Sequence, residues 1–448
     1  MNALTQYLDL YRSHRATVEA NSPAALNAGR EAAFHRLEAA GRLPERGDEG
    51  YAAVSVNEMF APDYGMNIER RSLGNLPGRL SACAIPGGAI PTVMLVNDTY
   101  YRPQGTDLPA GVTVMSLAEA AGKGLYTPGS EGAIPADNAV AALNDLFVQD
   151  GVYIRVDRGV RIEKPLRVLS VFAAGMPLLA TRRIHIEMEA DSALTVLVCD
   201  HPGAQQHDCL SDRVVEIVAG ERSECNFYDL EESPANCSRA SVTGIVQSEG
   251  SHVTATAISL GGAVSRNDFF VKYAGEHCRT DLGGLVIGGG ERVADFNTRI
   301  THAMPRCASR QLFKYALFDT ARGAFEGLVR VCPGAVYTDA QQSNRNLLAS
   351  ESARMHAEPQ LIINCDEVKA SHGSATGNLD ENAVFYMRSR GIPEEEARMM
   401  LIVAFMTDVL ETIAHEPLRE NLRHIVDKRL RGCAAECDSC GVGAKRQQ

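Results

Sequence analysis

Tryptophan is missing from the 448 residues, and Phe and Tyr number only 13 each, so the chain is poor in the aromatic platforms that sugar-handling proteins stack against pyranose rings. No apolar run approaches the ~20 residues that a membrane-spanning helix needs. Positive charge is short as well. The 44 Lys and Arg against 56 Asp and Glu leave a net charge of -12, and no basic run extends beyond pairs such as Arg182-Arg183. That excludes the electrostatic footprint of phosphate-backbone binding, and no nucleic acid partner is expected. Hairpin signals are scarce, with Asp150-Gly151 the one Asp-Gly pair, which disfavours an antiparallel sandwich. Gly122-Lys123-Gly124 lacks the flanking glycine and Ser/Thr of a phosphate loop, so ATP hydrolysis is not expected of this chain.

What is present suits a large soluble protein with 45% hydrophobic and 22% charged residues, long enough for several domains or one repetitive domain with caps. Residues 1–12 show amphipathic spacing with Asp9 in the middle, unlike a secretory leader, and the expected location is cytoplasmic. The 12 cysteines are scattered, which reads as reduced thiols rather than a disulfide framework. Cys83, Cys199, Cys225, Cys278 and Cys332 lie among apolar or small residues, the setting of buried, inert thiols.

Four regions emerge. Residues 1–135 form a helical and mixed α/β region: Leu4, Tyr7, Leu8 and Tyr11 recur at helical spacing, and a second helix is predicted from Ser22-Pro23 to Gly41 with Phe34 and Leu37 inward. Residues 136–379 change to short β-rich runs, including Val152–Val156, Leu166–Phe172, Arg183–Met188, Ala193–Cys199 and Val214–Val218. Turns such as Asp191-Ser192-Ala193, Gly220-Glu221-Arg222-Ser223, Glu249-Gly250-Ser251 and Gly275-Glu276-His277 recur roughly every 25 to 30 residues, the period of a degenerate solenoid. The predicted fold is therefore mainly β, a parallel β-helix core, with Gly288-Gly289-Gly290 one of its turns. Residues 380–432 return to helix: Asp380 caps the first, Gly391 closes it, Pro393 opens a second with Leu401, Phe405 and Val409 in a stripe, and a third buries Leu418, Leu422 and Ile425. Residues 433–448 form a Cys-rich flexible tail.

Between Thr298 and Ile392 lies an ordered series of short motifs. It runs from Thr298-Arg299-Ile300-Thr301-His302 and Ser309-Arg310-Gln311-Leu312-Phe313-Lys314 through Phe325-Glu326-Gly327 and Gln341-Gln342-Ser343-Asn344 to Glu358-Pro359-Gln360-Leu361. Val368-Lys369-Ala370-Ser371-His372-Gly373 and Phe385-Tyr386-Met387-Arg388-Ser389-Arg390-Gly391 complete it. This block resembles the SufB/SufD family of iron-sulfur cluster assembly scaffolds, with weaker similarity back to Asn144. Ser371-His372-Gly373 stands where SufB-like members read His-Glu-Ala, and Asn344 stands near the sulfur-accepting cysteine of SufB, so the chain is nearer the SufD branch. The resemblance implies a right-handed β-helix, a non-catalytic subunit that pairs with SufB or with itself, and a helical module that docks the SufC ATPase. It also implies that a transient iron-sulfur cluster or iron is shared with SufB, with none held tightly by this chain. His372 maps onto the family's candidate iron ligand, and imidazole is a competent one. Ala370, Ser371, His372, Gly373, Phe385 and Tyr386 are the expected partner interface. Many SufD sequences carry a cysteine where this chain has Ala370. Ligation from this side then rests on His372 with Asp366 of the same parity, whereas Cys365 on an unbroken strand faces the other way.

Two other constellations have ligand chemistry. Cys433, Cys437 and Cys440 have the spacing of a zinc or cluster site, which supports an alternative reading as a metal- or iron-trafficking protein. Cys199, Asp200, His201, His207, Asp208 and Cys209 crowd one loop and are read as a solvated turn. A carbohydrate-active β-helix enzyme is the third reading, opposed by the absent tryptophan.

Overall fold

The computed structural model describes residues 2–71, 90–129, 132–201 and 207–431. Successive strands alternate between two sheets. Leu178–Met188, Cys209–Ala219 and Cys237–Gln247 pair in parallel in one, and Ala193–Asp200, Glu224–Glu231 and His252–Ser259 in the other. Each strand thus hydrogen-bonds to the next but one in sequence, the connectivity of a parallel β-helix. The predicted runs at Val152–Val156 and Ala193–Cys199 fall on strands almost residue for residue, Val152–Val156 and Ala193–Asp200. At the N-terminal end the ladder is closed by antiparallel pairs, Thr92–Val96 with Thr99–Tyr101 and Val112–Ser116 with Val152–Val156.

The recurring turns have one geometry. Asp191, Arg222, Gly250, His277, Arg306 and Tyr337 all adopt left-handed backbone (φ between 53° and 67°). The next residue is always small and hydrogen-bonding: Ser192, Ser223, Ser251, Cys278, Cys307 and Thr338. Ser192, Ser223, Ser251 and Thr338 donate to the carbonyl three residues back, and Cys278 donates its thiol to Gly275 O in the same way. Each turn therefore satisfies its own backbone, and turn amides bond onward to the neighbouring coil, as Asp191 N does to Glu221 O and Arg222 N to Glu249 O. The left-handed conformation costs roughly 1–2 kcal/mol per non-glycine residue, and these bonds offset it.

Three apolar layers result. Side chains alternating inward along the strands fill the helix interior, among them Val196, Phe227, Ala255, Phe296, Phe313 and Phe325. The outward face of one sheet (Leu179, Leu210, Val214, Ala240, Val242, Phe270) is covered by the N-terminal helices through Leu4, Tyr7, Leu8, Tyr11 and Leu37. The outward face of the other (Leu197, Tyr228, Ile258, Leu285, Leu347) is covered by Ile402, Met406, Val409, Leu418, Leu422 and Ile425 of the C-terminal helices.

The expected single helix from Ser22 to Gly41 is two, Ala24–Asn27 and Arg30–Ala40. The break lets the fully buried Arg30 guanidinium collect Asn27, the Ser22 hydroxyl and the carbonyls of Leu146 and Val148 at the C-terminal end of helix Ala139–Phe147. A cation there complements the helix dipole. The C-terminal helices run Glu381–Ser389, Glu394–Leu410 and Glu416–Leu430, and Asp380 caps the first through the amides of Asn382 and Ala383. The inward stripe of the second is Ala397, Ile402, Met406, Val409 and Leu410 rather than Leu401 and Phe405. Phe405 is instead half-buried at the flank, beneath the Lys314 ammonium.

The reading of all thiols as reduced is corrected at one pair. Cys209 and Cys237 occupy paired positions on adjacent parallel strands, with Cα atoms 4.5 Å apart, and form a disulfide. They lie 28 residues apart in sequence, so only the coil register reveals them. Cys199, Cys225 and Cys278 are buried outside any disulfide and Cys332 is half-buried; Cys83 lies outside the described residues.

Candidate functional site

Among the described residues, the β-helix is open at its C-terminal end. Its last two strands, Arg354–Ile363 and Lys369–Gly377, each form the edge of a sheet. Both are exposed or half-buried along their length, whereas the strand before them, Asp339–Leu348, alternates buried and exposed. Pro359 sits within the first of them, a position proline tolerates because an edge strand has no neighbour awaiting its amide. Ile362 and Ile363 are among the exposed large apolar side chains.

His372 is on the last strand, exposed, paired in register with Gln342 below it. Gln342 in turn stands over Gln311. Registered residues on parallel strands point the same way, so His372 tops an inward-facing file of polar side chains. Thr298 donates its hydroxyl to Gln311 Oε1 at 2.7 Å, and Gln342 is 3% exposed with neither amide atom hydrogen-bonded. Alongside run Asn344 and Ser374 at 3.2 Å and Asn346 and Thr376 at 3.0 Å. The interior thus changes from aromatic at Phe313 and Tyr315 to amide and hydroxyl in the final coils.

Ser371 and Gly373 are exposed beside His372, and Ala370 is half-buried against Val329, Val331, Ala335 and Ala340. Phe385 and Tyr386 stand 72% and 59% exposed on helix Glu381–Ser389. The expectation that Cys365 faces away from His372, and so from Ala370 of the same parity, rested on an unbroken strand. The chain instead breaks between Ile363 and Lys369, with Glu367 in left-handed backbone, and Cys365 packs in the same apolar cluster as Ala370. Only the position of that turn could have revealed this. Asp366 is exposed in the turn, and among the described residues no three His, Cys, Asp or Glu side chains converge as a metal site. Gln342 was the other residue missed; its signal was parity with His372, visible once the coil register is known.

Among the described residues, the crowded loop after Cys199 does not gather three ligands. Burial alone raises the Asp200 carboxyl, but the guanidiniums of Arg213, Arg239 and Arg182 outweigh it and hold the group below its ordinary pKa, with Arg239 Nη1 2.9 Å away. Cys209 is in the disulfide. Lys123 pairs with Glu119, and Gly290 (φ 62°) makes a coil turn. Cys433, Cys437 and Cys440 lie outside the described residues.

Among the described residues, the solenoid has packed flanks and an uncovered end into which a polar file opens. The chain belongs to the SufB/SufD family of iron-sulfur cluster assembly proteins. The family description "SUF system FeS cluster assembly, SufBD core domain" matches residues 172–405, and "SufBD protein N-terminal region" matches residues 1–168. Within the family it is most like SufD. The iron-sulfur cluster assembly protein SufD of Escherichia coli is 30% identical over 295 residues, covering 65% of this chain and 70% of that one. A SufBD family protein of Synechocystis is 26% identical over 413 residues, 87% and 88% of the two chains. The chloroplastic protein ABCI7 of Arabidopsis thaliana is 31% identical over 214 residues, 48% of this chain and 45% of that one.

Proposed function

We propose that this chain is the non-catalytic, SufD-like subunit of a cytoplasmic cluster-assembly complex. Its open end pairs with a SufB-like subunit, or with a second copy of itself, and its C-terminal helices dock a SufC-like ATPase. The iron-sulfur cluster is cargo built at the shared interface, with His372 as this chain's ligand toward iron. The observation that carries the pairing is the uncovered last coil. Two parallel edge strands with Ile362 and Ile363 exposed are a template for strand or face pairing, in a molecule whose helices cover much of the earlier sheet faces. Phe385 and Tyr386 are the apolar surface of the helical module that supports ATPase docking.

The test is His372→Ala in the co-expressed complex. The side chain is exposed, so the fold and the assembly persist while cluster formation falls, by roughly 10-fold or more for a lost iron ligand. Unchanged cluster yield would remove His372 from the reading and leave the scaffold role.

A further inference from the structure

Two facts about Gln342 stand apart from the scaffold reading. It is almost wholly buried, yet both Nε2 and Oε1 are without hydrogen bonds. A buried amide left unpaired costs about 1–3 kcal/mol, and an apolar side chain of the same length would remove that cost. Room for the amide is also kept open deliberately by the opposite strand: a Cβ on Gly327 would lie 2.1 Å from Gln342 Nε2. The fold therefore carries a destabilising polar group directly beneath His372.

We propose that Gln342 is a positioning residue for His372, an inference that rests on the reading of His372 as an iron ligand. The bonds already present set its direction. Gln311 Oε1 accepts from the Thr298 hydroxyl and has a second lone pair, toward which the unpaired Gln342 Nε2 can turn. That turns Gln342 Oε1 upward, and it accepts one ring N–H of His372 when the exposed imidazole swings over it. The other ring nitrogen then keeps its lone pair and points out of the open end. A histidine that binds a metal needs this division, one nitrogen donating to a fixed acceptor and the other unprotonated. Gln342 thus selects the tautomer and aim of the imidazole without touching the iron.

The experiment is 15N spectroscopy of the imidazoles in the full chain, with His372 assigned by its loss in His372→Ala, comparing wild type with Gln342→Met. Methionine keeps the shape and removes both polar atoms. The wild type is expected to hold His372 in one tautomer, with distinct pyrrole-type and pyridine-type nitrogens; in Gln342→Met the two signals move together as tautomers mix. The fold should persist, because methionine fills the same space, while cluster yield on the complex drops roughly 10-fold. Gly327→Ala, which displaces the same amide from across the interior, is expected to give the same tautomer mixing. Identical ring-nitrogen shifts in wild type and both variants would overturn the proposal. The spectra need no cluster, so failure of the ligand reading registers separately, as unchanged yield in His372→Ala.

Discussion

Two histidines of the same motif series show how depth in the coil decides chemistry. His302 is fully buried, its Nε2 2.9 Å from the Ser309 hydroxyl and its ring against Tyr273. Burial lowers its pKa from 6.5 to about 4, so it stays neutral at pH 7. The unfolded chain binds this proton more readily, so stability is lost as pH falls from about 6.5 to 4, by about 3 kcal/mol in all. Denaturant titrations between pH 7 and 4 should show that slope, and His302→Asn should flatten it; an unchanged slope would mean that His302 takes up its proton equally in the folded and unfolded chain. His372, two coils and a strand later, is open to solvent. The sequence showed both residues in the motif series, but not which was sealed, because exposure depends on where the stack ends.

At the scale of elements, the C-terminal helices are tied to the β-helix by one buried cation. Lys314, 2% exposed, donates Nζ to the Phe405 carbonyl at 2.6 Å and to Asp408. Asp408 itself is 61% exposed, so solvent weakens its share and the carbonyl bond matters more. Lys314→Met is expected to cost about 1–3 kcal/mol and to speed proteolysis within 394–430, read by limited digestion; equal digestion rates would contradict the tie. Truncation after Leu379 is a blunter test, because it uncovers Ile258, Leu260 and Leu285. Replacing Phe385 and Tyr386 by Ala should spare the fold and abolish co-purification of the ATPase; retained ATPase would move its docking elsewhere. The caps of these helices were legible because Asp380, Gly391 and Pro393 act locally. Which stripe of Glu394–Leu410 turns inward was not legible, because Ile402 and Met406 answer to a distant sheet, a choice that apolar spacing alone leaves degenerate.

Across the whole molecule, the period of the turns carried the fold, since six successive coils repeat the same left-handed residue and hydroxyl or thiol corner. What the period could not carry was register between coils: the Cys209–Cys237 bond, the shared cluster of Cys365 and Ala370, and the file from Thr298 to His372 all lie between residues far apart in sequence. The same stacking leaves one end uncovered, and the account turns on that end being a pairing surface. The measurement that tests it is the size and subunit ratio of the complex formed when this chain is co-expressed with SufB-like and SufC-like subunits, comparing wild type with Ile363→Lys. Ile363 is 45% exposed on the last coil, so a charge there should leave the monomer folded while blocking edge association. A defined complex with wild type and a folded monomer with Ile363→Lys is the predicted result; equal complex formation by both, or a wild-type chain indifferent to its partners, would contradict the account.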